Sequence, residues 1–168
     1  TSDKTDNPIS LYAVTKKTNE LMAYAYNDLY GIKSTGLRFF TVYGPYGRPD
    51  MALFKFTKGI IENKKIDVYN SGKMYRDFTY IDDIVKGIES LINKAPNLRQ
   101  IGKFKNDSLS PIAPFRILNI GNTKKVNLLD FIKSIEDELG KKAIKNYMPM
   151  QKGDVKTTLS DTSLLNKI

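Results

Sequence analysis

The sequence predicts a mixed α/β fold, and three observations carry that expectation. Segments with helical spacing of apolar residues alternate with short runs of β-branched and aromatic residues. Clusters of Gly, Pro and Asn punctuate most of the boundaries between them. The chain of 168 residues is 40% hydrophobic and 27% charged, an ordinary globular balance with room for one domain or one and part of another. Such alternation belongs to α/β or α+β architectures.

Asn7-Pro8 is a helix-start signal. Leu11, Val14, Leu21, Met22, Ala25 and Leu29 then recur at near-helical spacing as far as Tyr30, and Gly31 ends the helix. Residues 35–42 (Thr-Gly-Leu-Arg-Phe-Phe-Thr-Val) read as one buried strand. They run into Tyr43-Gly44-Pro45-Tyr46-Gly47-Arg48-Pro49, a loop dense in turn residues. A second helix covers 51–63. A short strand spans 66–69, the chain turns at 70–73, and another short strand spans 76–80. Asp82 can cap a helix reaching about Ile92. Residues 96–114 are polar, proline-punctuated and aperiodic, which predicts a long surface loop or insertion. A strand follows over 116–120. Asn127 then caps a helix carrying Leu128, Leu129, Phe131, Ile132, Ile135 and Leu139, closed by Gly140. Residues 143–148 form a further strand, and a helix starts near Asp161.

Tyr12 and Lys16 stand four residues apart on the first helix, so they share a face. An ammonium beside a phenol favours the phenolate, which makes the pair a proton-transfer device: Tyr12 the general acid/base, Lys16 its tuning partner. The spacing alone is weak. With ten tyrosines and 22 lysines, Tyr-x-x-x-Lys arises by chance about once, and it recurs at Tyr69 and Lys73 across a turn. On spacing alone, an exposed helix pair is the commoner reading.

Composition narrows the chemistry. There is no cysteine, hence no disulfide and no thiolate ligand, which fits a cytoplasmic setting. There is no histidine, the usual general base and commonest metal ligand. No metal is expected; Asp82 and Asp83 read better as helix-start acids than as ligands. No apolar run is long enough to span a bilayer and no secretory signal stands at Thr1, so no membrane partner is expected. The net charge of +9 invites nucleic acid, but the lysines are scattered in runs no longer than Lys64-Lys65, so none is expected. No Gly-x-Gly-x-x-Gly occurs; the nearest approach is Gly44-Pro-Tyr-Gly47.

Several segments together resemble one family. Asn7-Pro8-Ile9-Ser10-Leu11-Tyr12-Ala13-Val14-Thr15-Lys16 is similar to the catalytic helix of extended short-chain dehydrogenases/reductases, and Leu37-Arg38-Phe39-Phe40-Thr41-Val42-Tyr43-Gly44-Pro45 to the strand and loop after it. Arg48-Pro49-Asp50-Met51-Ala52, the run from Met74 to Ile84, Asn119-Ile120-Gly121-Asn122 and Gly153-Asp154-Val155 continue the pattern in order. The resemblance covers nearly everything outside residues 96–114. It implies the C-terminal half of a Rossmann-type parallel sheet plus a small α+β substrate-binding domain. Residues 1–50 would close the NAD-binding part and 51–168 would be mainly substrate-binding, returning to the Rossmann sheet in places. Family members also carry a glycine-rich phosphate loop and a Ser/Thr partner for the tyrosine, which this stretch lacks, and they extend past the helix near Asp161. The expectation is therefore a portion of an enzyme, inactive alone.

The implied activity is NAD-dependent epimerisation at C4 of a UDP-sugar, most closely UDP-glucuronate to UDP-galacturonate, of the kind that feeds capsule polysaccharide. Related epimerases, decarboxylases or dehydratases, or a non-catalytic UDP-sugar-binding fragment, are the alternatives. By resemblance Tyr12 is the acid/base, and Lys16 also holds the nicotinamide ribose, with Phe39 and Val42 as further NAD contacts. Arg76 takes the diphosphate, because a guanidinium forks onto phosphate oxygens, and Arg48 is a second anion contact. Asp154 accepts from the uridine ribose, while Ala52, Val68 and the backbone of 66–69 frame the uracil. Thr41 stands where related enzymes have Asn and is expected to handle the C5 carboxylate. Arg38 is expected to be structural. A homodimer through the catalytic helix, using Met22, Tyr26 and Leu29, or self-association of the fragment, is the expected assembly, with an open strand edge near residues 35–42.

Overall fold

The computed structural model describes residues 5–168. Four α-helices and eight short strands alternate along them. Helix α1 (Leu11–Tyr30) starts at Ser10, whose hydroxyl accepts from the Ala13 amide at 3.2 Å. The start signal at Asn7-Pro8 therefore lies three residues early: the residue with a side-chain acceptor in reach of a free amide is Ser10. Gly31 ends the helix with φ 66°, as expected.

The single strand read over 35–42 is two. Strand β1 (Ser34–Phe39) runs parallel to β6 (Phe115–Ile120), and β2 (Thr41–Tyr43) runs parallel to β5 (Phe78–Tyr80). The chain changes partner at Phe40. The Phe40 amide still donates to Ile120 O at 3.3 Å, whereas the Thr41 amide donates to Asp77 O at 3.0 Å. Nor is the segment fully buried: β1 is half-covered and Phe39 is exposed. Among the described residues β1 pairs only with β6, which leaves one edge unpaired.

Strand β3 (Lys65–Tyr69) pairs parallel with β8 (Ile144–Met148), and β4 (Tyr75–Arg76) antiparallel with β7 (Val126–Asn127). The strand read over 76–80 is thus also divided, at Asp77. Helix α2 (Ala52–Ile61) follows the turn-rich loop. Helix α3 (Ile81–Leu91) has Tyr80 at its cap position and no side-chain cap bond. Asp82 is not the cap; with Asp83 it lies in the first turn, where the helix dipole favours negative charge. Helix α4 (Leu128–Leu139) matches its reading: the Asn127 side chain accepts from the Leu129 amide at 2.8 Å, and Gly140 closes it with φ 61°. No α-helix starts at Asp161; a single 3₁₀ turn spans Leu165–Lys167.

The main core lies where α2, β3 and α4 meet. Phe56, Ile60, Ile66, Val68, Ile132 and Ile135 are buried there together. Phe78 stacks on Phe131 at 4.4 Å between ring centroids and ties β5 to that core. Helix α1 packs on the β1–β6 pair through one face. Tyr24 meets Phe115 edge-on at 5.7 Å, and the buried Asn27 amide donates to Pro114 O at 2.7 Å and to Ile32 O. Glu20 takes a two-bonded fork from Arg38, at 2.6 and 2.8 Å. Arg38 is structural, as expected. The opposite face of α1 is uncovered: Leu11, Leu21, Met22, Tyr26 and Leu29 are all exposed.

Residues 96–114 form the irregular segment expected, with one 3₁₀ turn at Leu98–Gln100. It is stapled down by a pair invisible in the sequence. Arg116 of β6, 1% exposed, forks onto Asp107, 8% exposed, with both bonds at 3.0 Å. Gln100 adds an acceptor at 3.2 Å, and the Ser108 hydroxyl accepts from the Ile117 amide at 3.1 Å.

Candidate active site

The start of α1 presents Tyr12 and Lys16 together. The helical repeat places the Lys16 ammonium 5.2 Å from the centre of the Tyr12 ring, and Tyr12 is 68% exposed. A free phenol beside a cation is therefore available to a ligand from the solvent side.

Arg48 stands within electrostatic reach of Tyr12. Its guanidinium is raised above its ordinary value first by hydrogen bonding to Asp50, then by that carboxylate's charge, with a smaller contribution from Tyr12. Asp50 is lowered, first by the same hydrogen bond. The contact is a fork, with Nε of Arg48 3.0 Å from Oδ1 of Asp50. Both groups face solvent, so the pair sets direction more than stability.

Asp50 carries the geometry onward. It lines a cleft of about 330 Å³ with Ala52, Lys55 and Phe56 from the α2 side and Lys65, Ile66, Asp67 and Tyr69 of β3. Tyr12 does not line this cleft, whereas Asp50, the partner of Arg48, does. Val68, expected to frame a ligand, is instead fully buried in the core and does not line the cleft, because it is an inward-facing residue of the alternating strand β3. The two lysines and two aspartates of the cleft were not singled out from sequence. Lys55 is one of many scattered lysines, and Lys65 and Asp67 are the outward-facing residues of an alternating strand.

A second charged pair flanks the start of α1. Nη2 of Arg76 donates to both carboxylate oxygens of Asp154, at 2.8 and 3.0 Å, while Nη1 donates to Tyr75 O at 2.9 Å. The expected diphosphate and ribose contacts are thus neighbours. The segment bearing Asp154 also touches the helix cap: a Cβ built on Gly153 would lie 3.6 Å from the Cβ of Ser10 and from Ile9 O. Thr41 and Val42 sit half-buried in β2, in register with Phe78 and Thr79 of β5, and Phe39 ends β1 exposed.

Residues 1–104 match the model of the NAD dependent epimerase/dehydratase family. The chain is 56% identical to Protein CapI of Staphylococcus aureus over 163 residues, covering 96% of this chain and 48% of that protein. It is 47% identical to the probable UDP-glucuronate 4-epimerase of Rhizobium meliloti, covering 99% of this chain and 50% of that one. A crystal structure of a UDP-glucuronic acid 4-epimerase mutant from Bacillus cereus, in complex with UDP-4-deoxy-4-fluoro-glucuronic acid and NAD, superposes with a TM-score of 0.82 at 32% identity, over 100% of this chain and 49% of that one. The chain spans about half the length of the curated relatives it matches.

Proposed function

Because the chain belongs to the NAD dependent epimerase/dehydratase family, we propose that its parent protein interconverts UDP-glucuronate and UDP-galacturonate at C4. The observation that carries this reading is the exposed Tyr12 phenol with the Lys16 ammonium 5.2 Å from its ring, on a chain whose relatives include UDP-glucuronate 4-epimerases. The chemistry supplied by bound NAD is removal and return of a hydride at C4. Tyr12, Lys16, Phe39 and Val42 fit the nicotinamide end only. The exposed Tyr12–Lys16 face and exposed Phe39 can meet it, while the glycine-rich loop that cradles the diphosphate has no counterpart in these residues.

Tyr12 takes the proton of the C4 hydroxyl while the hydride leaves C4. It returns the proton to the 4-keto oxygen once the sugar has turned over and hydride has come back to its other face. Lys16 sets a positive charge 5.2 Å from the centre of the Tyr12 ring. The Arg48 and Arg76 guanidiniums supply positive charge for a ligand that carries two phosphates and a carboxylate. The cleft between Ala52 and Tyr69 receives the uracil, and Asp154 accepts from the ribose hydroxyls. On this reading residues 1–50 belong to the NAD side and 51–168 mainly to the substrate side. The uncovered face of α1, with Met22, Tyr26 and Leu29, pairs with a second copy.

A 4-keto uronic acid is a β-keto acid and loses carbon dioxide when its carboxyl bond aligns with the carbonyl π system. We assign Thr41 the task of holding the carboxylate out of that alignment. Incubating the full-length protein with NAD and UDP-glucuronate, and resolving products by NMR, tests the reading. UDP-galacturonate is the expected product; UDP-xylose or unchanged substrate refutes it. Thr41→Ala is expected to raise carbon dioxide released per turnover, and an unchanged ratio removes Thr41 from that role.

A further inference from the structure

We propose that Asp77 is a positioning residue for the nucleotide-sugar site, fixing Thr41, Arg76 and the segment bearing Asp154 in one arrangement. The inference rests on the reading of that site given above. Asp77 is fully buried at the break between β4 and β5, and does not itself face a ligand. Its carboxyl group accepts four hydrogen bonds: from the Asn122 amide at 2.8 Å, the Thr123 amide at 3.0 Å, the Ser160 amide at 2.9 Å and the Ser160 hydroxyl. Its own carbonyl accepts from the Thr41 amide at 3.0 Å, the bond by which β2 leaves its approach to β6.

Three routes lead from this residue to the site. The first is the Thr41 amide, which fixes where the Thr41 side chain points. The second is the peptide bond to Arg76, which sets where its guanidinium starts from. The third runs through Ser160 to the stretch behind Asp154. That stretch is laid along β4, with the Tyr75 amide donating to Lys156 O at 3.0 Å and the Thr158 amide to Tyr75 O at 3.1 Å. Packing leaves the clamp no slack: a Cβ on Gly121 would come within 2.4 Å of the Ser160 hydroxyl oxygen. A carboxyl group suits this position because both its oxygens accept. An amide would turn a donor towards amides that already donate.

Two variants of the full-length protein test this. Asp77→Asn strips acceptors from the clamp. Ser160→Ala removes the hydroxyl, and with it the bond donated to Asp77 and the bond accepted from the Thr123 amide at 3.1 Å, but keeps the Ser160 amide bond to Asp77, and decides the matter if Asp77→Asn does not fold. The readouts are KM and kcat for UDP-glucuronate, carbon dioxide per epimer formed, and affinity for UDP by calorimetry. A displaced anchor is expected to raise both KM and the UDP Kd about tenfold in Asp77→Asn and about threefold in Ser160→Ala. Carbon dioxide per turnover should rise with them. A folded variant with wild-type KM, UDP affinity and carbon dioxide ratio overturns the proposal, even if its Tm or kcat has dropped. Failure of the underlying reading looks different: wild-type protein then makes no UDP-galacturonate, while UDP affinity still reports on Asp77.

Discussion

The two arginines expected to meet the substrate's negative charges are both already paired with carboxylates: Arg48 forks onto Asp50 through two nitrogens, and Arg76 reaches both oxygens of Asp154 through Nη2 alone. A diphosphate suits a bidentate guanidinium and carries more charge, so it can replace the carboxylate and free Asp154 to accept ribose hydroxyls. Lysine supplies the charge without the fork. Arg76→Lys should therefore weaken UDP binding by about tenfold in calorimetry of the full-length protein, a cost of about 1.4 kcal/mol. Unchanged affinity would move the diphosphate elsewhere. Tyr12, Lys16, Arg76 and Asp154 could be singled out as candidates because residue type and family pattern mark them. Asp77 and Ser160 could not: their importance lies in hydrogen bonds across 83 positions, which no local spacing reports.

Helix boundaries read best where one side chain fixes them, as Asn127 and Gly140 do for α4. They read worst where two candidates compete, as Asn7 and Ser10 do at α1. The strand over 35–42 was found but not its break, because Phe40 changes hydrogen-bond partner without any change of residue type. The staple holding residues 96–114 was missed for a related reason: Asp107 lies in an aperiodic stretch, nine residues before Arg116 on the following strand. Removing one partner leaves the other charge buried, so Arg116→Ala should cost about 3–5 kcal/mol in urea unfolding. A loss below about 1 kcal/mol would mean the charge stays hydrated. In the link from α4 to β8, Glu136 is buried and held below the ordinary carboxylate range, first by its hydrogen bond from Lys145 and then by the Ala143 amide. A lowered folded value means that this contribution is complete above the unfolded value of about 4.3. It is lost as pH falls through the folded value. Glu136→Gln should thus be less stable at pH 7 and lose less further stability on acidification below about pH 5. Parallel urea midpoints against pH in the two proteins would contradict this.

At the scale of the molecule, among the described residues one face of α1 and one edge of β1 are uncovered, in a chain that spans about half the length of its curated relatives. The 168 residues alone are expected to bind NAD no tighter than about millimolar, since the pyrophosphate contacts that dominate its binding are missing. Micromolar binding by calorimetry would contradict that. They are also expected to self-associate through the apolar face of α1, so a clean monomer in ultracentrifugation would count against that surface. The fold class was legible from the alternation of elements, and the half-built sheet from the resemblance. Which apolar side of α1 packs inward was not, since Tyr24 and Tyr26 look alike in sequence yet one meets Phe115 and the other meets solvent. The central claim is that the Tyr12 phenol moves the proton at C4. Steady-state turnover of UDP-glucuronate by the full-length Tyr12→Phe variant tests it most directly, because so exposed a hydroxyl can be removed without harm to the fold. The account predicts a fall in kcat of about 10²–10⁴-fold with UDP affinity unchanged; turnover within a few-fold of wild type would contradict it.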